Sequence, residues 1–174
     1  MSKKRKIRSD VASKGKVVSC GFDSAKSKPL VFDFSSPSAW RSCKMGDFNN
    51  YLADEVEFVD RFRSAMKLVQ TLSSHKPAEV FNSGAFNHCH VISDDETKTV
   101  VALLTSKLGV SEQHIEGETL MQVGLDGGFR MVGAHTDGVF RVYLVDYNHS
   151  LYYDERKNRS NKANRKFCPI TGRK

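Results

Sequence analysis

No stretch of this sequence approaches the roughly 20 consecutive apolar residues that a membrane-crossing helix needs. The N-terminus, MSKKRKIRSDVASKGK, is basic, yet no apolar run follows it, so it does not read as a secretory signal. A cytosolic (cytoplasmic) protein is therefore expected, with no membrane partner. The phosphate-cradling GxxxxGK(S/T), the dinucleotide-binding GxGxxG and the nucleophile-bearing GxSxG are all absent. NTP, dinucleotide and α/β-hydrolase readings thus have no foothold, and no cofactor is expected. Neither CxxC nor HExxH occurs. Cys20, Cys43, Cys89 and Cys168, in a chain without an export signal, read as free thiols rather than disulfides. Trp40 is the only tryptophan and is expected to plug the core.

What the chain does have is charge at its ends. Its 174 residues suit one domain with a real core, and its net charge is +7. Residues 1–16 carry seven Lys or Arg against Asp10, and residues 153–174 carry eight against Asp154 and Glu155. Taking +6 for each end from a total of +7 leaves −5 in the middle. Basic ends of this kind commonly contact RNA or another polyanion, which makes Lys3, Lys4, Arg5, Lys6, Arg156, Lys157, Arg159, Arg165 and Lys166 candidate phosphate contacts. They read equally as solubilising disordered ends.

The pattern predicts three stretches: a basic disordered tail over 1–28, one α+β domain over 29–153, and a basic tail over 154–174. Val17–Cys20 is the strand-like run of the first tail. Leu30–Phe34 alternates around Asp33 and predicts a short strand. Asn49 or Asn50 is expected to cap a helix over Tyr51–Ser73, with Leu52, Val56, Val59, Phe62, Met66, Val69 and Leu72 as its apolar stripe. A short helix over Ala78–Asn82 and a strand over Phe86–Ile92 follow. Asp94 is read as the cap of a helix over Glu96–Leu108, with Val100, Leu103, Leu104 and Leu108 lining one side and Gly109 as the residue that ends it. Thr119–Val123 is a further predicted strand. The expected fold is an antiparallel β-meander with the helices packed on one face.

The segment Gly127–Tyr153 is the most informative. Phe129–His135 and Val139–Asp146 are strand-like and flank Asp137-Gly138, a strong hairpin signal because a type I′ turn needs positive φ at both central residues. With that loop, Met131 is expected opposite Leu144 and Arg130 opposite Val145. Phe129, Met131, Phe140, Val142 and Leu144 then form the core face, packed on the Tyr51–Ser73 helix. Arg130, Arg141, Tyr143 and, on a third strand, Tyr152 share the other face. Arginine forks suit phosphate and tyrosines suit stacked bases, while a solvated sheet face is the competing reading. His149, in the turn beside this face, is a candidate proton carrier.

His88 and His90 would project to one side of a strand and, with Cys43 and Cys168, make a candidate zinc set that lacks any paired local spacing. Asp94-Asp95-Glu96 is better read as helix capping than as a metal cluster.

The run Phe129-Arg130-Met131-Val132, the Asp137-Gly138 turn, Val139–Asp146 and Asn148-His149-Ser150-Leu151-Tyr152 resembles the C-terminal sheet of the RelE/ParE toxin superfamily. The likeness covers about 25 of 174 residues, and the chain lacks a lysine pair before the sheet. It implies a RelE-like sheet and a metal-independent endoribonuclease of toxin-antitoxin or phage-defence type, with an antitoxin-like partner. Arg130 matches that family's transition-state arginine, Tyr152 its late tyrosine and His149 a commonly basic position. The alternatives are a non-enzymatic module that binds nucleic acid or protein, and a small zinc-stabilised module.

Overall fold

The Asp137-Gly138 dipeptide turns the chain as its chemistry demands: both residues have positive φ, 50° and 84°, and Thr136 pairs with Val139. The computed structural model describes residues 28–125, 128–152 and 165–173. In chain order these form β1 (Val31–Asp33), β2 (Lys44–Met45), β3 (Phe48–Asn49), α1 (Glu55–Leu72) and α2 (Pro77–Phe81). Then come β4 (His90–Val91), α3 (Asp94–Ser106), a 3-10 turn at Glu112–His114, β5 (Leu120–Val123), β6 (Arg130–Thr136), β7 (Val139–Asp146), β8 (Phe167–Cys168) and β9 (Gly172–Arg173). The fold mixes helix with a five-stranded sheet of order β1-β7-β6-β5-β4.

That sheet is mixed rather than a pure antiparallel meander, because β1 pairs in parallel with β7. The segment after β7 does not form the expected third strand. Asp146 takes the backbone N–H groups of Asn148 and Leu151 on its two carboxylate oxygens, at 3.2 and 2.8 Å, and this coils the chain away. Its place beside β7 falls to β1, which enters through the Val31 N–H donating to the Gly138 carbonyl at 2.9 Å.

The helices lie on both faces, not one. Ala65, Leu68 and Leu72 of α1 and Val80 of α2 share a core with Met131, Phe140, Val142, Val145 and Tyr147. Val100, Leu103 and Leu104 of α3 share a second core with Val132, Ala134, Tyr143 and Leu144. Two apolar surfaces need two covers, since a strand buried on both sides reads as a nearly unbroken apolar run. The run from Val142 to Val145 is one.

A β-bulge explains why the predicted register fails. Val132 pairs with Leu144 but Gly133 pairs with Val142, so Tyr143 is the extra residue. Beyond the bulge Met131 faces Val145 and Arg130 faces Asp146, one place further than expected. Tyr143 and Leu144 both join the α3 core, so Leu144 is buried as predicted but under α3 instead of α1. Gly133 is where the two backbones meet: a Cβ there would lie 1.9 Å from the Arg141 carbonyl oxygen.

Helix α1 also turns a different side inward. Asp54, not Asn49 or Asn50, caps it, accepting the Glu57 N–H at 2.9 Å. Asn50 is instead buried, bonding Cys43 and Val145. Of the predicted stripe, Val56, Val59, Phe62 and Met66 are exposed (72, 45, 41 and 39%). The inward arc is Phe58, Ala65, Leu68, Val69 and Leu72. Helix α3 is capped by Ser93 in a capping box with Glu96, one residue before the expected cap, and buries Val100, Leu103 and Leu104 as predicted. Trp40 is half-buried and joins Phe34, Phe58 and Phe62 in an aromatic cluster.

Residues 165–173 belong to the folded body, not to a tail. The backbones of Leu52 and Phe167 exchange two hydrogen bonds, at 3.0 and 2.9 Å, and Arg165 Nη1 donates to Glu57 Oε1 at 2.6 Å. No helix among the described residues is long and apolar enough to cross a membrane.

Candidate functional site

Antiparallel pairing places Arg130 directly opposite Asp146, and both are taken out of water: Arg130 is 3% exposed and Asp146 fully buried. Arg130 is therefore not on an open face, as the predicted alternation had it, because α3 and its flanking segments cover that side of the sheet. Its guanidinium donates to the Phe129 carbonyl at 2.8 Å. The side chain lies across Gly124, where a Cβ would come within 2.7 Å of Arg130 Cδ and 2.8 Å of its Nη1. Gly124 is thus the floor that lets the arginine fold down. Burial raises the Asp146 pKa, and the backbone N–H groups of Leu151, Ser150 and Asn148 and the Arg130 charge pull against it.

The turn that Asp146 holds carries the other two predicted catalytic residues. His149 sits in the left-handed region at φ 55°, and its ring stacks on Tyr152 with centroids 5.0 Å apart and planes 22° from parallel. The Tyr152 hydroxyl donates to Glu96 Oε2 at 3.2 Å, at the N-terminus of α3. Burial and the Glu96 carboxylate push the Tyr152 pKa up, against the pull of Arg130, so the phenol stays protonated and acts as a donor. Arg130, His149 and Tyr152 consequently share one corner of the sheet, with Arg130 as its buried floor and the histidine–tyrosine stack as its half-buried rim.

The remaining predicted site residues disperse. Arg141 lies on the β1 edge, half exposed, its Nε donating to Asp33 Oδ2 at 2.9 Å. Hydrogen bonds from Ser35 and Arg141 bring the Asp33 pKa down to about 2. Tyr143, expected on the same open face, is buried by the bulge and donates to the His114 carbonyl at 3.3 Å. Arg165 is held by Glu57 and by Asn148 Oδ1, so it is no free phosphate ligand; Lys166 beside it is exposed. Lys3, Lys4, Arg5, Lys6, Arg156, Lys157 and Arg159 lie outside the described residues, as does Cys20.

The candidate zinc set does not assemble. Only His90 of the two histidines is on a strand, because the expected Phe86–Ile92 strand shrinks to β4. His90 Nδ1 faces the Val91 carbonyl at 2.9 Å and so carries the proton, leaving Nε2 to accept from Gln122 Nε2 at 2.9 Å. Cys43 and Cys168 come from 125 positions apart to one neighbourhood, where the Ser42 N–H donates to Cys168 Sγ at 3.3 Å. Burial pushes the Cys43 thiol up to about 12. No group of three or more His, Cys, Asp or Glu side chains among the described residues is arranged to hold a metal ion.

Sequence reading missed Asp146, Glu96 and Gly124 as members of this corner, and Gln122 as the buried partner of His90. Asp146 carried a signal: an aspartate two residues before asparagine at the end of an apolar strand suits an Asx turn. Gln122, buried with its Oε1 unpartnered among the described residues, carried none.

No curated protein and no solved structure matches the chain. The β6–β7 bulge, the Arg130–Asp146 corner and the β8–β9 hairpin all fall within residues 36–174, the stretch matched by the model of the family described as Uncharacterised protein UU032, and the chain belongs to that family.

Proposed function

We propose that this protein is a cytoplasmic module that binds RNA, or a comparable polyanion, through its terminal basic stretches and does not cleave it. The observation that carries this reading is the segregation of charge: +6 in residues 1–16, +6 in residues 153–174 and −5 between them. Lysines and arginines gathered at the ends of an acidic middle neutralise phosphates and release counterions, a term that needs no shaped pocket. The arginines of the corner and of the sheet are already committed, Arg130 over Gly124 and against Asp146, Arg165 to Glu57, and Arg141 to Asp33.

A RelE/ParE-type endoribonuclease with an antitoxin-like partner is the second reading. The convergence of Arg130, His149 and Tyr152 favours it. It requires Arg130 at the charge that develops on phosphorus, and an arginine that is 3% exposed is poorly placed for that.

Fluorescence anisotropy with single-stranded RNA over a salt series tests the first reading. The intact protein should bind at low salt with log K falling by about 0.7 per neutralised phosphate for each decade of salt. Removing residues 1–16 should weaken binding and flatten the slope. Its melting temperature should hardly move, because residues 1–16 are mostly charged and small polar and offer little apolar surface to bury. An intact protein that binds no RNA at low salt overturns the proposal. Cleavage of RNA but not DNA in the presence of EDTA would transfer the reading to the ribonuclease.

A further inference from the structure

Helix α1 buries one apolar arc and leaves a second to water: Val56, Val59, Phe62 and Met66 recur at spacings of three and four, and all four are exposed. The stripe rises about 15 Å along the helix. Phe62 is held in place from behind, its ring 5.8 Å from Trp40 and 5.9 Å from Phe58, so little side-chain freedom is lost when something packs on it. Scattered apolar side chains on a surface are ordinary, but here four share one side of a helix and the aromatic cluster holds one of them, Phe62, in place.

We infer that this face docks antiparallel on the same face of a second copy of the chain, about a two-fold axis at Phe62. The arrangement of side chains is self-complementary. With Phe62 against its counterpart, Val59 of each copy meets Met66 of the other. Asp60 and Lys67 border the stripe on one side, seven residues apart and hence within about 20° of each other around the helix. An antiparallel two-fold brings that same border of both helices together, so Asp60 of each copy faces the second copy's Lys67, and the pairing occurs twice. Asp60 already bridges Arg63 at 2.9 Å on this border, and both side chains are exposed. Opposite charges flanking an apolar seam fix register and orientation between helices. A partner of unrelated sequence would have no reason to match that spacing.

Sedimentation velocity on the full chain, from micromolar to near-millimolar concentration, tests the inference. The natural sequence should pass from monomer to dimer over that range. Phe62→Glu should remain monomeric throughout with unchanged circular dichroism, since Phe62 is 41% exposed at the outer edge of its aromatic cluster and is not among the buried core residues. Asp60→Lys and Lys67→Asp should each weaken self-association roughly tenfold by opposing like charges. Mixed one to one, these two variants should recover a dimer, because each then presents the charge the other lacks; misfolding of either would not be cured by mixing. A monomer at every concentration overturns the inference and leaves the face to a foreign partner. A dimer indifferent to Phe62→Glu, or two charge variants that do not rescue each other, overturns it as well.

Discussion

At the scale of single residues, one arginine decides how the corner is read. Periodicity put Arg130 on an open face, whereas it is 3% exposed, opposite Asp146 and across Gly124. A buried charge without its neighbours is costly, and removing one partner of such a pair typically destabilises by roughly 3–5 kcal/mol. Gly124 supports the arrangement only by having no side chain. Gly124→Ala should displace the guanidinium and lower the unfolding midpoint in urea, and in an Arg130→Ala background the same change should be nearly neutral. If the two substitutions prove additive in that double-mutant cycle, Gly124 is not acting through Arg130.

Among the elements, the β6–β7 hairpin shows how a local irregularity governs a layer. The bulge turns Tyr143 and Leu144 to the same face, which supplies the α3 core and restores Val145 and Tyr147 to the α1 core. It depends on Gly133, whose absent Cβ makes room for the Arg141 carbonyl. Backbone cannot swing aside as a flexible side chain can. Gly133→Ala should therefore cost about 1–3 kcal/mol or more, the range for overpacking, and should weaken amide-exchange protection in β6 and α3 together. Unchanged protection in α3 would show that the bulge does not position that helix. The hairpin turn itself was legible, because Asp-Gly encodes it within two residues. The bulge was not, because Gly133 announces only that something comes close, not what.

For the molecule as a whole, distant segments are tied by polar links that respond to acid. Asp33 and Arg141, 108 residues apart, join β1 to β7 at their last registered pair. Hydrogen bonds from Ser35, then from Arg141, lower the Asp33 pKa from 3.8 to about 2. A carboxyl with a depressed folded pKa contributes stability above its unfolded value and loses it as pH falls through the folded one. The contribution is thus full near pH 4 and gone below about pH 2, and it is modest because the pair is in contact with solvent. Asp33→Asn should flatten the acid limb of stability between those values, lowering stability modestly at neutral pH and leaving it unchanged below about pH 2. An acid limb identical to that of the natural sequence would mean other carboxylates carry it.

Local sequence was enough for whatever depends on neighbours along the chain. It set the Asp137-Gly138 turn, the existence of α1 and α3, the burial of Val100, Leu103 and Leu104, the short β1 strand and the division of charge between ends and middle. Each of these follows from composition or from a period of two or three to four residues. Tertiary structure decided what depends on competition between distant groups. Two apolar arcs on α1 satisfy the same spacing, and only the sheet's position selects Ala65, Leu68 and Leu72 over Val59, Phe62 and Met66. Two segments were available to pair beside β7, and Asp146, by capturing the N–H groups of the next turn, gave the place to β1. Arg130 is polar by composition and buried by circumstance, since its opposite charge and its glycine floor come from β7 and from the end of β5. A period along one chain cannot register what another segment, many residues away, brings to the same point in space.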